Sequence, residues 1–323
     1  MSRTEEGLVA VPGLLSRWVR LGNGALAHYM TSGETGPAVI LLHGGIQGSS
    51  GAAGWRFMAP FLGQNGFRVF APDQPGFGHA DTNSEFSPIY GTISHSDFIN
   101  EFATAVGIDR FYLAGNSMGA DNTIQYVMDH PERVISFILI ATMKVGDNVA
   151  DEKQIGPKLT NMAQFDGTAK SMGDMISPIM YKPSAVPQEL LEMRAEAANR
   201  QKDSYEAGRK GRELIRKDPA LNARFSTKDR FNKIGVPGIY LYGKDDVLAP
   251  VENAYNQEDT LQNIQMFYPE ECGHQGQTDQ PDMFNQVFLE FFSKGKVSRA
   301  TADWAGVSTR RPENSNLVEQ KCT

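Results

Sequence analysis

The sequence predicts an α/β fold, a mostly parallel central sheet flanked by helices and carrying a helical insertion. Short apolar runs alternate with longer helical stretches, as in a parallel sheet with crossover helices. A serine sits in a G-x-S-x-G turn between one such run and a helical stretch. One interval, 146–230, breaks the alternation with helical patterns and scattered prolines but no convincing strand.

The elements follow in order. Residues 17–31 read as a β-hairpin around Gly22-Asn23-Gly24, where an Asn-Gly pair supplies the positive φ angles of a tight turn. Strands are expected at Ala38–Leu42, Arg68–Ala71, Phe111–Ala114, Val134–Ile140, Gly238–Tyr242 and Ile264–Tyr268. Helices are expected at 54–64, 94–106, 118–130, 250–262 and 280–293. The expected division is a core of 1–145 and 231–294, a helical lid of 146–230 and a polar C-terminal tail of 295–323. The tail is expected to be poorly ordered, with Trp304 and Val307 available to dock on a neighbour. Residues 151–230 hold 15 Lys and Arg against 12 Asp and Glu, a net +3, so the rest carries −10 of the total −7.

Composition narrows the function. The 323 residues are 40% hydrophobic, enough for a large core. A net charge of −7 argues against a nucleic-acid partner, which needs concentrated positive charge. No run of 18 apolar residues is present, so no transmembrane helix is expected, and the acidic, Pro-Gly-broken start is unlike a signal peptide. Two cysteines, Cys272 and Cys322, make no disulfide framework and point to a reducing cytoplasm. No metal-ligand spacing and no phosphate-cradling G-x-G-x-x-G after a strand is found, so no cofactor and no metal are expected. The expected partner is a small-molecule substrate. A homodimer is allowed, but no interface is legible.

The chemistry concentrates in Phe111-Tyr-Leu-Ala-Gly115-Asn-Ser117-Met-Gly119-Ala120. A nucleophile in a strained strand-to-helix turn needs small residues two before and two after it, and the helix then aims its N-terminal dipole at the site. The alternative, an ordinary Gly-Ser loop, is disfavoured by the flanking strand and helix patterns. Such a serine needs a base and an orienting acid, in the chain order Ser, Asp, His. Of six histidines only His274 directly follows the last strand. The strand Gly238–Tyr242 leads into Gly243-Lys-Asp245-Asp246, and the spacing G-x-x-D favours Asp246 over Asp245. An oxyanion hole needs two backbone N–H donors, expected from Met118 and from Gly45 in His43-Gly44-Gly45-Ile46. In the insertion, Arg194 shares a helix face with Leu190, Leu191, Ala197 and Ala198. It must either snorkel out, find an ion-pair partner, or face a pocket and grip a substrate carboxylate.

With these residues in place the sequence resembles the meta-cleavage-product hydrolases, C–C bond hydrolases of the α/β-hydrolase fold that act in bacterial aromatic and steroid-ring degradation. The resemblance rests on Leu42-His-Gly-Gly45, Asp73-Gln-Pro-Gly-Phe-Gly78, Gly115-Asn-Ser-Met-Gly119, Gly243-Lys-Asp-Asp246 and Cys272-Gly-His274, and spans about 20–293. It implies hydrolysis of a vinylogous 1,5-diketo acid after ketonisation of its dienol. Ser117 would attack the keto carbonyl, His274 relay protons, Asp246 hold the imidazole and Arg194 engage the acidic end. Gly44, Asn116, Arg194 and Gln275 are the expected substrate-binding residues. Three positions depart from the family pattern and are expected to line the pocket: Gln275 for a tryptophan, Ile46 for a third glycine before a longer loop, and Ala120-Asp121 after the elbow. Gln275 leans towards the alternative of a carboxylesterase, lactonase or amidase. A non-hydrolytic binder or cofactor-free oxygenase has no chemical need for Ser117, Asp246 and His274 together. Ser117 also excludes the aspartate nucleophile of epoxide hydrolases and dehalogenases.

Overall fold

The computed structural model describes residues 10–142, 163–248, 250–261 and 263–321. The first nine residues, the opening of the expected lid at 146–162, and Cys322 lie outside the described residues. The chain begins with β1 (Leu15–Arg20), β2 (Leu26–Ser32) and β3 (Ala38–Leu42), then α1 (Gly51–Trp55), α2 (Met58–Gln64) and β4 (Arg68–Pro72). It continues through α3 (Thr92–Ala105), β5 (Phe111–Asn116), α4 (Met118–Asp129) and β6 (Val134–Ile140). Between β6 and the next strand the described residues hold four α-helices, three short 3₁₀ turns and no strand, the α-helices being α5 (Ala169–Ile176), α6 (Gln188–Arg200), α7 (Lys202–Lys217) and α8 (Pro219–Phe225). The sheet resumes with β7 (Gly238–Leu241), α9 (Val251–Glu258) and β8 (Ile264–Phe267). The chain then runs through α10 (Gly276–Asp279), α11 (Pro281–Lys294) and α12 (Arg299–Trp304).

The eight strands lie in the order β1-β2-β4-β3-β5-β6-β7-β8. The β1–β2 and β2–β4 pairs are antiparallel and all the others are parallel. Because side chains alternate across a strand, each central strand feeds two cores. Val39 and Leu41 join one with α1, α2 and α11, while Ala38, Ile40 and Leu42 join the other with α3 and α4. Burial on both faces explains why these strands read as unbroken apolar runs.

The hairpin forms with a turn other than the one the sequence suggested. Five residues, 21–25, join β1 to β2, and only Gly24 has a positive φ, +96°. The Asn23 side-chain oxygen instead accepts the Ala25 amide at 3.0 Å, so asparagine stabilises the loop locally rather than adopting a left-handed backbone.

The tail is a second correction. Residues 295–321 pack on the body through α12 and buried Val297, Leu317 and Val318. Val307 docks as expected, bridging antiparallel to Phe267 at the β8 edge, whereas Trp304 remains 55% exposed. The segment covers the last strand's open side, where unpaired backbone groups would otherwise face solvent.

Candidate active site

The parallel topology gathers the sequence-selected residues at the carboxyl ends of the strands. Ser117 follows β5, Gly44 and Gly45 follow the adjacent β3, and Asp246 and His274 follow the adjacent pair β7 and β8. This is where open α/β sheets bind ligands.

Ser117 has φ +55° and ψ −120°, a backbone state costing on the order of 1–3 kcal/mol for a residue with a side chain. The surroundings enforce it. A β-carbon on Gly119 would run into the Leu42 carbonyl oxygen, and one on Gly115 into the Gly119 carbonyl oxygen. The Ser117 amide donates to Ile140 O at 2.8 Å, which ties the turn to β6. Met118 opens the 12-residue α4, so the helix's positive end points at the serine.

His274 and Asp246 form a buried pair, Nδ1 to Oδ2 at 2.7 Å. The other Asp246 oxygen accepts the Leu248 amide at 2.9 Å, which fixes the carboxylate's rotation. Asp245 turns away, is exposed, and accepts the Cys272 amide at 3.2 Å. A β-carbon on Gly243 would strike Cys272 O, so the acid and histidine loops can touch only because that residue is glycine. Burial, with Asp279, Asp246 and Asp245 nearby, pushes the Cys272 thiol up, which keeps it protonated and unreactive.

Gly44 and Gly45 lie against the elbow. A β-carbon on Gly45 would come within 2.8 Å of Met118 Cβ, and one on Gly44 within 3.5 Å of Ser117 Cβ. Among the described residues neither the Gly45 nor the Met118 amide has a protein acceptor. Asn116 is buried and donates to His274 O at 2.9 Å, so it braces the histidine loop against β5. Gln275 is buried as well, at the start of α10.

Arg194 does not snorkel. It is 3% exposed, its side-chain partner is Ser49 Oγ at 3.2 Å, and its Nε is buried without an acceptor. Arg56, which sequence reasoning missed, is a second buried guanidinium, bonded to Ala53 O and Ala185 O. Burial brings both arginines down to about 10, and the charge of Arg56 contributes at Arg194. No carboxylate among the described residues pairs with either. The only signal for Arg56 was a lone cation in the apolar stretch Ala52–Leu62.

The insertion sits directly on the histidine loop. The His274 amide donates to Ile179 O at 2.9 Å, and Asp279 accepts the amides of Tyr181, Lys182 and Gly273. An apolar cluster of Met172, Met175, Ile176, Ile179, Met180 and Leu248 packs against Ile46. The residue replacing a third glycine thus touches the insertion. Ala120, by contrast, is fully buried in the α3–α4 core and does not line the site, because its position on α4 turns it to the sheet. Asp121 accepts a hydrogen bond from Thr142 Oγ1 and borders a cavity of about 300 Å³ with Ile215 and Phe225.

Among the described residues, His28, Asp73 and His79 bring three potential ligand atoms within 4.8 Å. Both Asp73 oxygens are already engaged, Oδ1 by the Gly51 amide and Oδ2 by His28 and the His79 amide, so the group acts as a structural clasp.

Residues 37–177 match the family model described as alpha/beta hydrolase fold. The chain is 28% identical over 271 residues to the 2-hydroxy-6-oxo-6-phenylhexa-2,4-dienoate hydrolase of Comamonas testosteroni, covering 82% of this chain and 91% of that protein. It is 27% identical over 278 residues to the 2-hydroxy-6-oxononadienedioate/2-hydroxy-6-oxononatrienedioate hydrolase of Paraburkholderia phymatum, covering 83% and 91%. Among solved structures it resembles the meta-cleavage product hydrolase from Pseudomonas fluorescens, with TM-score 0.71, 24% identity and coverage of 86% and 98%. A putative lipase from Acinetobacter baumannii is similar at TM-score 0.72 and 21% identity, covering 87% and 92%. At these identities the structural likeness establishes the fold alone.

Proposed function

The chain is an enzyme of the α/β-hydrolase fold, and from that premise we propose that it is a serine hydrolase cleaving a C–C bond in a vinylogous 1,5-diketo acid. The observation that carries the proposal is the strained, positive-φ Ser117 at the head of α4, on the sheet edge that also holds the His274–Asp246 pair. Relatives named for dienoate hydrolysis support the substrate class.

In this mechanism the substrate dienol first ketonises. Ser117 Oγ then adds to the keto carbonyl while His274 takes its proton. The Gly45 and Met118 amides receive the oxyanion. Collapse expels the dienoate carbon, which picks up the proton from His274 and leaves an acyl-serine. Water, deprotonated by His274, releases the carboxylic acid. Asp246 holds the imidazole in one tautomer throughout. The insertion serves as the lid, and Arg194, with the charge of Arg56 behind it, grips the substrate carboxylate. Two desolvated guanidiniums without an internal carboxylate are costly to bury, and an anionic substrate offsets that cost. The proposed setting is the cytoplasm, consistent with a buried, free Cys272. Among the described residues no helix is long and apolar enough to cross a membrane.

A second reading, an esterase or lactonase using the same residues, is favoured by Gln275 following the histidine. A paired assay separates them, one sample receiving a yellow meta-cleavage product and the other a short-chain aryl ester. Bleaching with formation of acid and dienoate, lost by several orders of magnitude in Ser117→Ala, is the expected result. Ester turnover without bleaching supports the second reading. Retained activity in Ser117→Ala overturns both.

A further inference from the structure

A buried histidine outside the expected triad bonds the peptide between Gly44 and Gly45. His43 directly precedes Gly44-Gly45 and is buried. Its Nε2 lies 3.0 Å from the Gln74 main-chain nitrogen and its Nδ1 lies 2.8 Å from Gly44 O. A main-chain N–H can only donate, so Nε2 must be the acceptor and the proton must sit on Nδ1. The ring therefore donates to the Gly44 carbonyl, and its tautomer is dictated by the fold. Burial, with His95 and Arg194 acting in the same direction and Asp73 opposing, brings its pKa down to about 4, so the neutral ring holds at neutral pH.

The Gly44 carbonyl and the Gly45 N–H belong to one peptide unit. In a trans peptide these two groups point in opposite directions, and no cis peptide is present among the described residues. Gripping the carbonyl from one side thus aims the N–H to the other. Glycine on both sides would otherwise leave that peptide free to rotate. The His43 main chain is held in its turn. The Gln74 side chain donates to His43 O at 2.8 Å and accepts from Asn122 Nδ2 at 2.6 Å, which joins the loop after β3 to α4.

We infer that His43, locked by Gln74 and Asn122, is the positioning residue that aims the Gly45 N–H at the oxyanion formed on the Ser117 adduct. The inference rests on Ser117 being the nucleophile and Gly45 an oxyanion donor.

The test needs no knowledge of the natural substrate. Ser117 Oγ, losing its proton to His274, bonds to the phosphorus of a fluorophosphonate and expels fluoride to solvent while the phosphoryl oxygen enters the oxyanion hole, so the labelling rate, followed by intact mass, reads the hole directly. The amide nitrogen of His43→Asn falls near Nδ1 and can still donate to Gly44 O. The carbonyl oxygen of His43→Gln falls near Nε2 and accepts the Gln74 main-chain N–H instead. His43→Asn is expected to label within about threefold of the wild-type rate while melting lower, since the buried Gln74 amide loses its acceptor. His43→Gln is expected to melt higher than His43→Asn but label tens of times more slowly, because misplacing one donor forfeits part of the ~100–1,000-fold such a donor supplies. A purely structural role predicts that melting and labelling rank together, and that ranking overturns the inference. If neither variant folds, Gln74→Met is used, with slowed labelling expected and an unchanged rate overturning it. Failure of the wild type to label at Ser117 overturns the serine-hydrolase reading itself.

Discussion

Among the described residues two buried His–Asp pairs share the same Nδ1–Oδ2 separation of 2.7 Å, and only one belongs to the proposed catalytic site. His28 extends its pair to a serine, Ser16 Oγ at 2.9 Å, so Ser16, His28 and Asp73 form a complete hydrogen-bonded relay. Ser16 lies inside regular β1, paired with Met30, on no strained turn and at no helix N-terminus. Ser117 has both features, and side-chain identity therefore matters less than the backbone beneath it. Arg194 is the other residue whose setting fixes its meaning. Charge-assisted hydrogen bonds are worth about 1.5–3 kcal/mol, so Arg194→Ala is expected to raise KM for carboxylate-bearing substrates by roughly 10- to 100-fold. Neutral aryl esters should change far less. Comparing the two ratios cancels any general loss of packing, and equal losses would remove the carboxylate grip.

At the scale of elements, Asp73 joins the end of β4 to its neighbours. It receives the first amide of α1 from Gly51 at 2.7 Å, the His79 amide at 2.8 Å and the His28 ring. Burial alone would raise this carboxyl, but the interaction and hydrogen bond with His28 and the hydrogen bond from the His79 amide together draw it down to about 2. A carboxylate depressed in the folded state stabilises above its unfolded pKa near 4 and loses that contribution as pH falls towards 2. The shift corresponds to about 2–3 kcal/mol. Asp73→Asn should therefore be less stable than wild type by about that amount at pH 7, and the gap should narrow between pH 4 and 2. Urea titrations across that range measure it, and a gap independent of pH would show that the carboxylate's charge is immaterial. The strands and the helices around them were legible because a two-faced burial pattern repeats locally along each one. The hairpin turn was not, since Asn23 had two ways to build a loop and the choice depended on strand register.

For the whole molecule, the C-terminal segment is part of the folded body. Val297, Val307, Leu317 and Val318 are buried on the β8 side, and fully buried Glu258 meets Tyr268 Oη at 2.9 Å, Arg310 at 3.3 Å and Arg311 at 3.5 Å. Burying four such aliphatic side chains contributes on the order of 6–10 kcal/mol, comparable with a domain's entire stability. Removing residues 297–323 also strips the arginines from a buried carboxylate. The truncated chain is expected to lose its cooperative thermal transition or to melt more than 10 °C lower, by calorimetry. An unchanged transition would mean the segment only rests on the surface.

The amino-acid sequence by itself determined the α/β layering, the G-x-S-x-G elbow and the order of Ser117, Asp246 and His274, since each depends on neighbours close along the chain. The G-x-x-D spacing favoured Asp246 over Asp245, and the tertiary structure brings Asp246 to His274 and turns Asp245 to the Cys272 amide, because a one-residue step in a loop reverses the direction of a side chain. Packing likewise buried Arg194 beside Arg56, from segments some 140 residues apart, and seated a polar-looking tail on an open strand edge. Such contacts have no local period. They exist only once the sheet has brought distant loops to one edge.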